Sequence, residues 1–366
     1  MLIGIDGNEA NLTSNRVGVN QYAYYVLTSL WHLKSPHKFV IYLKSSPLPD
    51  LPKERTGWTY RVLSFPKLWT QTRLPFDLFF HHPRPDIFLS LTHYSPRWSP
   101  IPTVVSIMDL GFLKYPEQFT QKVLAQLKNW TAYSVKKAAK IIAISEHTKK
   151  DICAVYNINP NDVIVTHLGF DHDLFRPRPN PQVIKKYGIK TPYFLFLSSL
   201  KPSKNIENLL IAFAKLNDAN YSLVIAGKKA WLYEKIFSSV SKLNLHDRVI
   251  FTGFVPDADV PTLMTHSTAF VLPSFYEGFG IPVLEAMACG TPVVISNVAS
   301  LPEVAGVAGI YVDPYSVDSI MQGLKTAIGS KSSQFVKLGL VRVKSFDWDI
   351  TAKKTLNLLE SITIKK

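Results

Sequence analysis

Short, largely apolar runs recur along the chain. They fall at residues 2–5, 39–43, 85–89, 103–107, 141–144 and 163–169, then at 193–197, 223–227, 249–253, 269–273 and 291–295. Runs of this length without polar alternation predict strands buried on both faces of a parallel sheet. Between them the apolar residues take helical spacing. Tyr22, Val26 and Leu30 share one face, as do Val123, Leu127, Trp130 and Val135 within a helix predicted over 120–140. Ser145 suits the cap of another helix. Residues 45–60 are rich in Pro, Lys and Ser and read as loop. The alternation predicts an α/β protein with two doubly wound, Rossmann-like domains. The first spans 1–171 and the second 191–345. A proline-bearing linker, 172–190, joins them, and a final helix occupies 346–366.

The richest stretch is 274–290, SFYEGFGIPVLEAMACG. An apolar run precedes it and another follows, so it reads as the loop and helix of one right-handed βαβ unit. Val283, Leu284, Met287 and Ala288 share a helix face. Pro282 suits the first turn and Gly290 the position just past the end. Gly278 and Gly280 leave backbone bare before the helix start, where N–H groups and the positive dipole end favour an anion such as a diphosphate. Two carboxylates flank that place, Glu277 in the loop and Glu285 within the helix. A carboxylate beside a phosphate is costly unless hydroxyls donate to it. A nucleotide sugar fits, being a diphosphate with a sugar on each side.

Two glutamates separated by seven residues, within EGFGIPVLEAMACGTPVV, resemble the signature of glycosyltransferase family 4. The resemblance runs over nearly the whole chain. It implies the GT-B fold, retention of anomeric configuration, and ligands in the cleft between the two domains. It also implies that the last helix crosses back onto the first domain, and that domain closure brings donor and acceptor together. Glu277 is then expected to hold donor-sugar hydroxyls and Glu285 the ribose, with Gly278, Phe279, Gly280 and Ile281 around the diphosphate. RVGVNQY resembles the first glycine loop, which assigns Gly18 to the donor. The segment 198–205, SSLKPSKN, resembles the family's basic segment. There Lys204 neutralises the diphosphate, Lys201 stands in for a basic partner replaced by Ser203, and Ser199 lies beside them. Val255 follows the run ending at Gly253 and is expected near the nucleobase. VVSIMDLGFLKYPE resembles a segment that normally reads His-Asp-Leu; Asp109 matches, and Met108 stands where the family has its reaction-centre histidine. Methionine offers no hydrogen bond to a sugar hydroxyl. Either the enzyme tolerates a 6-deoxyhexose donor, or a neighbour such as His93 supplies the bond, or the site is impaired.

Composition narrows the partners. Residues 1–190 carry 24 Lys/Arg against 13 Asp/Glu, and residues 191–366 carry 17 against 14. A basic first half points to an anionic partner, such as a membrane surface or a pyrophosphate-linked acceptor. Nucleic acid is not expected, since no zinc-finger spacing, aromatic RNA-binding consensus or dense basic helix occurs. The aromatic and basic segment 68–80 is a candidate membrane contact. The two cysteines, Cys153 and Cys289, suit a reducing cytosol. The start of the chain does not read as a signal peptide, and no apolar run is long enough to span a bilayer. His81, His82 and His93 lack metal-ligand spacing.

The expectation is thus a retaining hexosyltransferase with no metal and no cofactor. It would move a mannose-like hexose from a GDP-, UDP- or dTDP-linked sugar to a glycan or lipid-linked acceptor, in the cytoplasm or at the inner face of the cell membrane. Two other classes stay open: a GT-B enzyme that is not a transferase, such as an epimerase or phosphorylase, and a degenerate paralogue that only binds.

Overall fold

The computed structural model describes residues 1–14, 16–65, 67–228 and 234–363. The chain divides into two compact units, Met1–Gly169 with Asp347–Lys366, and Phe170–Phe346.

The first unit is built on a sheet of seven parallel strands. These are β1 (Leu2–Asp6), β2 (Lys38–Leu43), β3 (Trp58–Val62), β4 (Ile87–Ser90), β5 (Thr103–Ile107), β6 (Lys140–Ala143) and β7 (Val163–Val165). Their order is β3-β2-β1-β4-β5-β6-β7. β4 and β5 are buried at every position, as strands covered on both faces must be. The direction of winding reverses between β1 and β4, so their carboxyl ends diverge into a crevice, the usual place for a ligand in such a sheet. Helix Trp348–Thr363 belongs to this unit, where Trp348 stacks on Tyr25 with ring centroids 5.1 Å apart.

The second unit has six parallel strands: β8 (Tyr193–Leu197), β9 (Ser222–Ala226), β10 (Val249–Gly253), β11 (Ala269–Leu272), β12 (Val293–Ser296) and β13 (Gly309–Val312). Their order is β10-β9-β8-β11-β12-β13, and the winding reverses between β8 and β11. Among the described residues no helix is long and apolar enough to cross a membrane.

Three expectations need correction. The stretch 172–190 is not a free linker. It carries a helix, Pro181–Lys186, whose Ile184 is buried, and Arg178 N–H donates to Thr265 Oγ1 at 3.0 Å, so it packs into the second unit. Residues 45–60 are not all loop, since β3 begins at Trp58. The helix predicted over 120–140 runs Gln121–Lys137, and Val123 is 46% exposed rather than core. The face turned inward carries Thr131, Ser134 and Val135, and Ser134 Oγ donates to the Trp130 carbonyl at 2.8 Å within its own helix.

Candidate active site

In the second unit the loops after β8 and β11 meet at the reversal point. Asn205 binds them together. It takes the left-handed conformation at φ 59°, and its Nδ2 donates to the carbonyls of Pro273 at 2.9 Å and Pro314 at 2.6 Å. Phe275 N–H donates to the Ser203 carbonyl at 3.0 Å. The short turn Pro202–Lys204 is thereby held against the glutamate loop. Lys204 Nζ lies 2.6 Å from Glu277 Oε1, and Ser274 Oγ donates to the same oxygen at 2.7 Å. Both charged side chains are 12% exposed, so the pair is only lightly screened by water.

Gly280 sits at φ 104°, a conformation that a side chain would strain, and an added Cβ would come within 2.7 Å of Leu301. Helix Ile281–Ala288 starts there with no side-chain cap and no acidic residue in its first turn. Its positive end is left for an anion. Ser300 Oγ lies 2.9 Å from the carbonyls of both Glu277 and Phe279, and donates to one at a time. Ser296 Oγ donates to the Ser274 carbonyl at 2.6 Å. These serines fix the loop backbone, and their signal in the sequence is a small polar residue at or just past the end of a buried strand.

Glu285 lies further along the helix, 7% exposed. Burial pushes its carboxyl up to about 8, and the negative charges of Asp257 and Asp171 add to the rise. No described residue donates a hydrogen bond to that carboxyl. A carboxyl held neutral by burial can both give and accept a hydrogen bond, which suits a hydroxyl. Among the other predicted donor residues, Gly278 and Phe279 are buried in the loop and Ile281 is half-buried at the helix start. Ser199 is exposed and Lys201 is half-buried at the head of the Lys204 turn. Val255 is buried beyond β10, an edge strand two places from β8.

The sequence also holds three Asp-x-Asp triplets, at 171–173, 257–259 and 347–349. Hydrogen bonds or an ion pair hold one carboxylate of each. Asp171 Oδ1 accepts from the N–H groups of Asp173 and Leu174, and Asp347 Oδ1 from that of Asp349. Asp259 Oδ2 lies 2.7 Å from both Lys186 Nζ and the Tyr187 hydroxyl.

In the first unit, Gly18 has φ 58° and precedes the long helix Val19–His32, with open space where a Cβ would point. Met108 and Asp109 follow β5. Asp109 Oδ1 accepts from Gly111 N–H at 2.7 Å. The Met108 side chain is 9% exposed. Its N–H donates to His93 Nε2 at 3.4 Å, and its carbonyl accepts from Thr148 Oγ1 at 3.2 Å. His93 therefore lies beside Met108, brought there from the end of β4. At the end of β1, Asp6 Oδ1 accepts from Asn8 N–H and Nδ2, and past it Glu9 Oε2 accepts from Asn20 Nδ2 at 2.7 Å. Burial raises both carboxyls, and Asp6 raises Glu9 further.

Two parallel Rossmann-like sheets, each with candidate ligand residues at its reversal point, make the GT-B fold. The family "Glycosyltransferase Family 4" matches residues 19–174 and "Glycosyl transferases group 1" matches residues 180–335. O-antigen chain mannosyltransferase B of Escherichia coli is 32% identical over 263 residues, 69% of this chain and 69% of that protein. The fold is also that of sucrose-phosphate synthase from Thermosynechococcus elongatus, with a TM-score of 0.78 at 17% identity over 100% of both chains. HepE of Anabaena, solved with UDP and glucose, has a TM-score of 0.74 at 19% identity over 98% of this chain and 99% of that one. The chain belongs to glycosyltransferase family 4.

Proposed function

We propose that this chain is a retaining, metal-independent hexosyltransferase. It moves a mannose-like hexose from a nucleotide-diphosphate sugar to a glycan or lipid-linked acceptor in the synthesis of cell-surface polysaccharide or glycolipid. The observation that carries the reading is the Lys204–Glu277 pair beside the uncapped start of helix Ile281–Ala288. A cation and a helix N-terminus suit a diphosphate, and the glutamate suits a sugar hydroxyl. The mannosyltransferase relative supports the choice of hexose, and the neighbour solved with UDP and glucose supports a nucleotide-linked donor.

Lys204 shifts from Glu277 toward the diphosphate as the donor binds, and Glu277 turns its freed oxygen to the hexose. The bond from the anomeric carbon to the phosphate oxygen breaks with its electron pair going to the diphosphate. Lys204 and the helix start hold the charge that develops there. The acceptor oxygen bonds the anomeric carbon from the same face, and its proton passes to the leaving phosphate. Glu285 holds the ribose. The protein works in the cytoplasm at the inner face of the membrane, where the exposed Phe76 and Phe80 and the basic first half make peripheral contact. Met108 in place of a histidine favours one other reading, a paralogue that binds a nucleotide sugar without transferring it.

A thermal-shift screen against GDP-, UDP- and dTDP-sugars tests the proposal. A ligand at 100 times its dissociation constant stabilises by about 2.7 kcal/mol, enough to read. One nucleotide class is expected to stand out and to release nucleoside diphosphate on incubation. Stabilisation without any release selects the binding-only reading, and no stabilisation by any sugar nucleotide defeats both.

A further inference from the structure

Ser274 is fully buried just past β11, and the backbone around it is bonded on three sides. The carbonyl before it, of Pro273, accepts from Asn205 Nδ2 at 2.9 Å. Its own carbonyl accepts at 2.6 Å from Ser296 Oγ, itself buried at the end of β12. The N–H after it, of Phe275, donates to the Ser203 carbonyl at 3.0 Å. The Ser274 hydroxyl is thus a donor held in place, and it meets Glu277 Oε1 at 2.7 Å. Lys204 Nζ reaches the same oxygen at 2.6 Å. The other carboxylate oxygen, Oε2, has no hydrogen-bond partner among the described residues.

The two donors on Oε1 differ in their freedom. Lys204 carries its charge on a long flexible stem and can swing to a phosphate. Ser274 cannot follow, because its oxygen sits one carbon from a bonded backbone. A carboxylate that is 12% exposed and loses its only cation becomes an uncompensated charge, which is costly. With Ser274 in place it keeps one charge-assisted hydrogen bond. That bond also pins Oε1, so the lone pair that Lys204 gives up points where the ammonium had been. We propose that Ser274 is a positioning residue for a handover: it holds the Glu277 carboxylate while Lys204 moves to the diphosphate, and the place of Lys204 Nζ becomes that of a hexose hydroxyl. This rests on the transferase reading, and it gives a buried serine a part in donor binding that its own side chain never touches.

The test is a double-mutant cycle on the full chain, read by calorimetry with GDP, UDP and dTDP as probes. For the nucleotide that binds wild type, Ser274→Ala should weaken affinity about tenfold, because Lys204 now leaves a carboxylate with no donor behind it. In a Lys204→Ala background there is no handover, and Ser274→Ala should change affinity by less than twofold. A serine that merely shapes the loop would weaken binding equally in both backgrounds, and that result overturns the proposal. Undiminished affinity in Ser274→Ala alone overturns it too. Ser274→Cys keeps the shape but offers only a weak donor, so it should repeat the pattern, and it decides the matter if the alanine variant fails to fold. A wild type that shows the expected cycle but releases no nucleoside diphosphate from GDP-mannose, UDP-glucose or dTDP-rhamnose would sink the transferase reading and leave the handover standing. A wild type that binds none of the three nucleotides defeats both.

Discussion

The two reversal points are built alike and charged differently. In the second unit the end of β8 brings Lys204 to Glu277 at the end of β11, and a helix start adds further positive character. In the first unit the end of β1 brings Asp6 and Glu9, and the ends of β4 and β5 bring a neutral imidazole and Asp109. This inverts the bulk charge. The first unit carries 23 Lys/Arg against 14 Asp/Glu, a surplus of 9, and the second 18 against 13, a surplus of 5. A ligand a few ångströms away feels the nearby groups far more than the screened total. A diphosphate calls for a cation and a dipole, a hydroxyl for a carboxylate or a neutral donor, so the two edges suit different ligands.

The largest effect is expected at the cation. Lys204→Ala removes a side-chain charge that the proposed function sets against the departing diphosphate. Turnover should fall about 10²–10³-fold, on the order of 3–4 kcal/mol, while donor affinity falls less. Turnover per bound donor, from rapid quench under saturating donor, separates the two. If affinity takes the whole loss and turnover holds, Lys204 only binds, and the contrast between the two edges is one of recognition alone.

Glu285 comes next. Glu285→Gln should weaken donor binding by about 1.5–3 kcal/mol, tenfold to a hundredfold, because a charged acceptor for hydroxyls is lost. Burial favours the neutral acid in the folded chain, up to about 8, while the unfolded chain ionises near 4.5. Between those values the folded chain holds a proton that the unfolded chain has lost. The cost to stability is therefore absent below about pH 4.5, grows through the interval and levels off above about pH 8. The Gln variant should melt higher than wild type at pH 8, by an amount on the order of a few kcal/mol, and equally at pH 4. In the wild type, hydroxyls that bind the carboxylate should drive the proton off. Donor affinity should then rise with pH to about 8, and calorimetric heats should depend on the buffer. Affinity flat from pH 6 to 9 would detach Glu285 from the ribose.

Much of this could be read from the chain itself, for a physical reason. Parallel strands buried on both faces leave unbroken apolar runs, so β4, β5, β8 and β11 stand out. β3 did not, because it is an edge strand with only Trp58 buried, and its Thr59, Tyr60 and Arg61 look like loop. The inward face of helix Gln121–Lys137 was misjudged at Val123 because two of its buried positions are Thr131 and Ser134, which an apolar pattern passes over. Glu277, Glu285 and Lys204 each stand out in the local sequence. Their contact does not, since Lys204 and Glu277 lie 73 residues apart and meet only because β8 pairs with β11. His93 was weighed only as a metal ligand or a stand-in for a missing histidine; its place beside Met108 appears only when the ends of β4 and β5 are laid side by side.

A smaller effect tests where the surplus positive charge of the first half goes, if not to its ligand edge. Helix Arg73–Phe80 exposes Phe76 by 61% and Phe80 by 70%, and Leu68 stands 56% exposed before it. Sedimentation with phosphatidylglycerol vesicles should show binding that weakens with salt. Phe76→Ser and Phe80→Ser should each reduce it by about tenfold, the worth of partly burying one aromatic ring. Equal binding to neutral vesicles would assign the contact to the apolar segment alone. No binding at all would favour a soluble acceptor.

The smallest effect is expected at Met108, and it asks whether the first edge also reads the transferred sugar. A histidine here could hydrogen-bond a hydroxyl on the sixth carbon of a hexose, whereas methionine offers only a soft apolar surface. A 6-methyl group loses nothing against it, and a 6-hydroxyl loses a partner. The gain is limited because little of the side chain is open, 9%, and its backbone is held at both ends by His93 and Thr148. Discrimination worth one methyl group in an apolar setting is about 1 kcal/mol, several-fold in rate. GDP-mannose and GDP-rhamnose differ only at that carbon and form the matched pair. Relative to wild type, Met108→His should shift the ratio of kcat/KM several-fold toward GDP-mannose, while the melting temperature stays within a few degrees. A ratio that does not move removes Met108 from sugar recognition. The first edge would then be left to the acceptor, and the contrast between the two reversal points would become a strict division of labour.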